Sequence, residues 1–367
     1  MHPVKVLILG TGHIGQTIAE LLSSTGDYEV SVADHNARSL QALSDLPVKT
    51  YQMKADDSNE LIGALKCQHI VINALPYFLA AQTAQAAASA GCHYFDLTED
   101  VHATRDIQRI AQGAKQAFMP QCGLAPGFIS IVAQHLASQF DDLHELHMRV
   151  GALPAFPTNS LKYNLTWSVD GLINEYCRPC EAIRDCQTVE LLPLEGLEHF
   201  SLDGVEYEAF NTSGGLGTLC DSLAGRVKHL DYKSVRYPGH RHLMKILLEE
   251  LQLQADQDAL KRMMRKAIPT TMQDVVLVFV TASGYKNGVF VQEVFARKIF
   301  ADRDAHTPKS AIQITTAAGV CAVVDLFCSG ALPQQGFLRQ EQVSLPNFLA
   351  NRFGRVYQQW RQIESIS

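Results

Sequence analysis

Residues 4–22, VKVLILGTGHIGQTIAELL, pass from an apolar strand pattern through three closely spaced glycines into a helix pattern. Gly10, Gly12 and Gly15 form GxGxxG in the strand–turn–helix setting that the motif needs. There the first glycine permits a tight turn and the second lets the backbone approach a pyrophosphate. The third lets the helix pack close, with its N-terminus, at His13 and Ile14, facing the phosphates. Few openings restrict a chain more: a buried strand feeding a helix this way belongs in a parallel, doubly wound sheet that holds a dinucleotide.

The following residues keep that pattern. Apolar runs at 4–9, 30–33, 70–75, 94–97 and 117–122 alternate with helix-spaced apolar faces such as Ile14, Ile18, Leu21 and Leu22. Pro120 falls inside the last run and lacks a ladder donor, which predicts an edge strand in a 3-2-1-4-5-6 order. From about residue 143 the periodicity changes. LHELHMRVGAL, VELLPL, SVRY, DVVLVFVTASGY and GVFVQEVFARKIF are strand-like, and Asn287-Gly288 joins the last two as a hairpin. Helices are predicted over 162–176, 240–251 and 258–267. The expected class is therefore α/β: a Rossmann sheet over 1–140, an inserted α+β domain with a mostly antiparallel sheet over 141–309, and a return over 310–367. The final FLANRFGRVYQQW is expected to close over the junction.

Composition narrows the function. With 367 residues, 19% charged residues and a formal net charge of −7, the chain has no basic block for nucleic acid. The apolar stretch 311–328 carries Gln313, Thr315, Thr316 and Asp325, so a buried helix is expected there and no membrane span. Met1-His2-Pro3 leads straight into a strand without a charged-then-apolar leader, and nine scattered cysteines suit a reducing cytoplasm. Cys177 and Cys180 of CRPC, with Cys186 nearby, read as structural thiols. A second metal pair is missing, so no metal site is expected.

Several further residues belong to the expected cofactor site. Asp34 ends the second strand about twenty residues after the glycines, where ribose hydroxyls lie. A carboxylate there accepts from the 2′-hydroxyl of NAD and repels the 2′-phosphate of NADP, which favours NAD over NADP; Arg38 is the nearby counter-argument. Asn73, Ala74 and Pro76 follow the fourth strand at the ligand edge, and Asp56 follows the third strand-like run toward the adenine. Gly123 and Ala125 of CGLAPG are expected to border the nicotinamide.

Taken with NALPY, HYFDLTED, CGLAPG, LTWSVDGLINEY, TSGGLGTL, VRYPGH and FGRVY, the fingerprint resembles the saccharopine dehydrogenase superfamily, most closely its lysine 6-dehydrogenase-like members. The resemblance spans nearly the whole chain. It implies a nicotinamide cofactor, oxidation at a carbon bearing an amine nitrogen, and a symmetric homodimer. An ε-ammonium titrates near ~10.4, so such a site needs a base or a desolvated pocket before hydride can leave. The imine formed then takes up water, giving an aldehyde and ammonia.

Asp96, Glu99 and His240 are the candidate proton acceptors, expected at the mouth between domains; the alternative role for Asp96 or Thr98 is a helix N-cap. For the substrate α-carboxylate the eligible forks are Arg184, Arg236 and Arg241, with Arg241 preferred for its place beside His240. Tyr163 and Trp167, four apart on the predicted helix, are candidate pocket walls. Three functions follow from this set: an NAD-dependent lysine 6-dehydrogenase, a saccharopine or carboxy-polyamine (carboxynorspermidine-type) dehydrogenase, and a dinucleotide-binding protein without turnover.

Overall fold

A strand that is apolar on both faces is stable only in the middle of a sheet covered on both sides. β1 (Val4–Leu9) is such a strand, with Val6, Leu7 and Ile8 fully buried. The computed structural model describes residues 2–302 and 308–358. The described residues divide into two compact units: 2–131 with Gln313–Val356, and Val132–Ile312 with Tyr357 and Gln358. The divisions fall inside two helices, Phe128–Ala137 and Ala311–Cys328, rather than at 140 and 309. Residues 303–307 of the expected insertion and 359–367 of the expected tail lie outside the described residues.

In the first unit, β2 (Tyr28–Asp34), β3 (Lys49–Gln52), β4 (Ile70–Asn73), β5 (His93–Asp96) and β6 (Ala117–Met119) join β1 in one parallel sheet. The order is β6-β5-β4-β1-β2-β3, and Val6 stands between Val30 and Ile70 in register. Two expectations about the sixth strand need correction. It stops at Met119, before Pro120, and it is not the edge. A two-residue strand, Gly336–Phe337, pairs parallel to its outer side, with the Gly336 amide donating to Gln116 and that of Leu338 to Phe118. The proline lies just past the strand, where no ladder donor is needed.

Helix Ala311–Cys328 is long and apolar enough to span a bilayer, with a mean hydropathy of 1.8, yet 78% of it is buried. Its place depends on a close backbone approach. A Cβ on Gly319 would sit 2.9 Å from the carbonyl oxygens of Cys122 and Gly123. At its start, buried Asp274 accepts from the amides of Ala311 (2.5 Å) and Ile312 (3.0 Å).

The second unit holds β7 (Asp142–Pro154), β8 (Cys180–Arg184), β9 (Gln187–Leu191), β10 (Glu198–Leu202), β11 (Val205–Asn211), β12 (Val227–Arg236), β13 (Asp274–Lys286) and β14 (Val289–Phe300). Their path is β10-β11-β12-β7-β13-β14, with β8 branching to β12 and β9. All pairings are antiparallel except β7 with β12. Asn287 and Gly288, at φ 52° and 78°, make the turn that the sequence signals. The sheet curls strongly. Four strand steps would separate β10 from β13 by roughly 19 Å in a flat sheet. Instead Phe200 stacks on Phe279 at 5.7 Å, and Lys298 of β14 donates to the Leu202 carbonyl at 3.0 Å. The fold-over buries Leu153, Tyr207, Val235 and Leu277.

The helix expected over 162–176 begins only at Val169. Ser168 caps it by accepting from the Gly171 amide at 3.2 Å, and residues 159–168 are irregular. Tyr163 and Trp167 therefore do not share a helix face, although both pack into the cluster under that helix.

Glycine context gives a paired stability prediction. Gly63 lies exposed in helix Ser58–Leu65 with open space where a Cβ would go. Gly63→Ala should raise the unfolding free energy by about 0.5–1 kcal/mol. Gly319→Ala should lower it by about 1–2 kcal/mol, because overpacking against two backbone carbonyls outweighs the same propensity gain. Urea titrations of both variants check the opposite signs.

Candidate functional site

The turn after β1 is built from backbone contacts that admit no side chain. Gly10 sits at φ +97°, and a Cβ on it would lie 2.8 Å from the Ala74 carbonyl oxygen. A Cβ on Gly15 would fall 2.0 Å from the Gly10 oxygen. By contrast, nothing lies within 4 Å of a Cβ on Gly12, which precedes helix His13–Ser23 without a side-chain cap. Two glycines thus close the turn, and the third leaves its backbone open beside uncapped helix amides. That cradle fits a pyrophosphate. His13 is exposed and Ile14 half-buried at the same helix start.

Asp34 closes this site from β2. Its Oδ2 accepts from the Thr11 amide and hydroxyl, both at 2.7 Å, and its Oδ1 from the Asn36 amide at 2.8 Å. Partial burial pushes the carboxyl up, but these donors outweigh burial and hold it below the usual range, so it stays ionised. Thr11 is a residue that the motif reading passes over, although it occupies the first variable position of the fingerprint. Asp56 lies on an exposed loop, where its backbone oxygen accepts from Gln82 at 3.0 Å.

Asn73 ends β4 and works as a latch, accepting from the Leu75 amide (3.2 Å) and donating to the Tyr94 hydroxyl (3.1 Å). It holds the turn that carries Ala74 and Pro76, and the Ala74 amide donates to Leu9 at 2.8 Å. Gly123 and Ala125 lie in the turn before helix Phe128–Ala137, with the Phe128 amide bonded to the Gly123 carbonyl at 2.9 Å.

Asp96, at the end of β5, is 1% exposed. One oxygen accepts from Tyr94 (2.7 Å), the other from the amides of Thr98 (3.0 Å) and Gln121 (2.9 Å). Burial raises its carboxyl to about 6 against the pull of these bonds. Neither Asp96 nor Thr98 caps the next helix; Asp100 does, accepting from Ala103 at 2.8 Å. Half-buried Glu99 stands between them, raised to about 7 by burial and then by the charges of Asp100 and Asp96.

His240 is completely buried in the second unit. Its Nδ1–H donates to the Leu161 carbonyl at 2.9 Å, so Nε2 faces the Tyr176 hydroxyl (3.1 Å) as an acceptor. The Tyr176 oxygen in turn accepts from Arg236 Nε at 2.9 Å. Burial, followed by the Arg236 charge, lowers the imidazole to about 3. The neutral-range titration expected of His240 is thereby corrected: a desolvated ring beside a guanidinium stays neutral. The preference for Arg241 also meets a geometric obstacle. Its fork is committed to the Leu194 carbonyl (2.5 Å) and to Glu195 (2.9 Å), while Arg184 is bound to Asp231 at 2.7 Å. Tyr163, 1% exposed, packs on His240 at 5.3 Å between ring centroids, and Trp167 is half-buried nearby. Cys177 and Cys180 end a helix and begin β8, with burial pushing their thiols up to about 11 and about 12, so neither is a reactive thiolate.

Comparison with known proteins gives two family matches that together take in nearly the whole chain. Residues 6–119 match the saccharopine dehydrogenase NADP binding domain, and residues 123–356 the saccharopine dehydrogenase C-terminal domain. The mitochondrial alpha-aminoadipic semialdehyde synthase of Rattus norvegicus is 23% identical over 195 residues, 51% of this chain and 21% of that protein. Saccharopine dehydrogenase [NADP(+), L-glutamate-forming] of Saccharomyces cerevisiae is 25% identical over 179 residues, 46% of this chain and 40% of that protein. The chain therefore matches well under half the length of these curated relatives. Apo saccharopine dehydrogenase (L-Glu forming) from Saccharomyces cerevisiae has the same fold, with a TM-score of 0.78 at 16% identity over 94% of this chain and 96% of that one. Cradle and matches agree on a nicotinamide dinucleotide as the cofactor.

The open space at Gly12 separates binding from folding. Gly12→Ala should leave the thermal transition within about 1 °C yet weaken dinucleotide affinity at least tenfold, about 1.4 kcal/mol, as the added methyl meets the pyrophosphate. Cofactor titration by fluorescence, beside a melting curve, tests both halves.

Proposed function

The chain belongs to the saccharopine dehydrogenase family, and from that membership we propose that it is an oxidoreductase acting at an amine-bearing carbon of an amino acid, with L-lysine as substrate and NAD as cofactor. The reaction would be oxidative deamination of the ε-amine, giving the semialdehyde and ammonia. The supporting observation for one carboxylate in the substrate is the state of the arginines. Saccharopine carries more carboxylates than lysine and calls for several converging forks. In the second unit Arg149, Arg184 and Arg241 are already bound to protein carboxylates. The competing reading, a saccharopine dehydrogenase, draws its support from the names of the matched relatives.

For the cofactor, the matching family domain is described as NADP-binding, whereas ionised Asp34 at the ribose position argues for NAD in this chain. The bound nicotinamide accepts the hydride. The protein's own part is to orient, to exclude water and to move a proton. Glu99 suits the last task best: Asp96 has both oxygens engaged and His240 is neutral throughout the physiological range. A carboxyl raised to about 7 takes a proton from a substrate ammonium and returns it readily near neutrality. A homodimer is part of the same proposal, supported by edge strand β14, where Val289, Phe290 and Val294 are 60%, 53% and 53% exposed. So is a cytoplasmic location, supported by nine unpaired cysteines.

The deciding experiment offers lysine, saccharopine and carboxynorspermidine separately with NAD and with NADP, following reduced nicotinamide and ammonia. Ammonia released from lysine with NAD is the expected result. Glutamate formed from saccharopine would move the assignment to the second reading, and no turnover on the panel would reduce the protein to a dinucleotide binder. Asp34→Asn should narrow the preference for NAD over NADP at least tenfold by removing the charge that faces the 2′ position.

The proton step has its own signature. Glu99 must be deprotonated to act as base, so kcat/KM should rise with pH through about 7. Glu99→Gln should lower kcat by about 10²–10⁴-fold and abolish that limb; a variant that keeps the wild-type profile would remove Glu99 from the mechanism.

A further inference from the structure

Most of the acceptor capacity of Asp34 is taken up inside the protein. An ionised carboxylate offers about four acceptor sites, two on each oxygen. On Oδ2 both are filled by Thr11, whose amide and hydroxyl donate at 2.7 Å, and Thr11 is 2% exposed, so this oxygen is sealed. On Oδ1 one is filled by the Asn36 amide at 2.8 Å. The remaining site, on Oδ1, is where a ribose hydroxyl can donate.

His35 stands at that oxygen, with Nδ1 3.0 Å from Oδ1. The backbone on either side of the ring is anchored. The Met53 amide donates to the Asp34 carbonyl at 3.0 Å, and Gln52 Nε2 donates to the His35 carbonyl at 3.1 Å. The ring itself is free to turn: the His35 side chain is 77% exposed, against 11% for Asp34, and rotation into solvent gives up no buried contact. An exposed ion pair of this kind is also the weakest sort. Among the groups that keep Asp34 ionised against burial, Asn36 and Thr11 come before His35. The imidazole is therefore the partner of Asp34 that yields most readily. A second cation, Arg38, is exposed three residues on, its amide held by the Asn36 side chain at 3.0 Å.

The two nicotinamide dinucleotides meet this pair differently. The 2′-hydroxyl of NAD has to donate to Oδ1, so it competes with the imidazole for that oxygen. The ionised 2′-phosphate of NADP has no hydrogen to donate and is repelled by Asp34. An imidazole beside it supplies an N–H and, when protonated, a positive charge.

We propose that His35 sets how sharply this chain discriminates NAD from NADP, opposing the 2′-hydroxyl of the one at Asp34 Oδ1 and partnering the 2′-phosphate of the other. This rests on the reading above of Asp34 as the ribose carboxylate and adds a second determinant to it. Asp34 alone excludes NADP; Asp34 with His35 at its open oxygen admits NADP as the weaker ligand. His35 is a specificity residue in this assignment and takes no part in hydride or proton transfer.

The test measures dissociation constants for NAD and NADP by calorimetry, with a melting curve for each protein. His35→Ala should bind NAD about 2–5-fold tighter and NADP about 3–10-fold weaker, moving the ratio at least about fivefold toward NAD. In the Asp34→Asn background the same change should alter NAD affinity less than about 1.5-fold, since the charged oxygen is gone. His35→Gln keeps an N–H but carries no charge; it should leave NAD affinity within about twofold of wild type and still weaken NADP. An unchanged ratio in His35→Ala, equal changes in both constants, or the full gain for NAD in the Asp34→Asn background would each overturn the proposal. The two readings fail separately. An Asp34→Asn variant that narrows the ratio beside an unresponsive His35→Ala removes only this inference, whereas an Asp34→Asn variant with the wild-type ratio removes the ribose placement and this inference with it.

Discussion

The backbone of Gly15 lies so close to that of Gly10 that a single methyl would meet an oxygen at 2.0 Å, and the first unit is organised around that contact. It brings helix His13–Ser23 against β1 and leaves its first amides uncapped. The same turn places Thr11 where its amide and hydroxyl both reach Asp34. One close approach thus sets the anion site and fixes the carboxylate beside it. Ala74 of the neighbouring turn completes the enclosure, since its carbonyl lies where a Gly10 side chain would be. The fingerprint is a steric statement before it is a chemical one.

That explains why this half of the molecule was legible in the residues. Continuous apolar runs, glycines at fixed spacing and a carboxylate at the end of β2 are local signals, and each maps to a local structure. The misplaced features are those set by distant partners. Pro120 suggested an edge, but strand Gly336–Phe337, more than two hundred residues later, occupies that side. The start of helix Val169–Cys177 was legible in principle, since Ser168 followed by Asp170 is an N-cap with an acid in the first turn. The apolar spacing before it obscured that signal. Likewise Asp203-Gly204, with φ of 52° and 73°, joins β10 to β11 as plainly as Asn287-Gly288 joins the last hairpin, but β10 has no buried residue and β11 is exposed at the turn and buried only beyond Glu206.

In the second unit the residue types were visible and their states were not. Arginines 184, 236 and 241 look alike along the chain. Only the folded chain shows that Arg184 is held by Asp231 and Arg241 by Glu195, while Arg236 lies between the rings of Tyr163 and Tyr176 with the buried Glu175 carboxylate acting on its charge. His240 offered the pKa of a free imidazole; its burial and the Arg236 charge are tertiary facts. Sequence names the groups that can ionise, and packing decides which of them do.

Three carboxylates of the first unit, at the end of β2 and at and just beyond the end of β5, show the same rule. Asp34 is partly solvated with three donors and stays ionised. Asp96 also has three donors, but with 1% exposure desolvation prevails and the group rises to about 6. Among the described residues Glu99 has its own amide as donor and two acids nearby, and it rises further, to about 7. Equal chemistry is thereby sorted into a fixed charge, a structural tie and a group poised near neutrality. Exchanging Asp34 and Glu99 between their environments would exchange their roles, because the donors and the solvent belong to the position and not to the side chain.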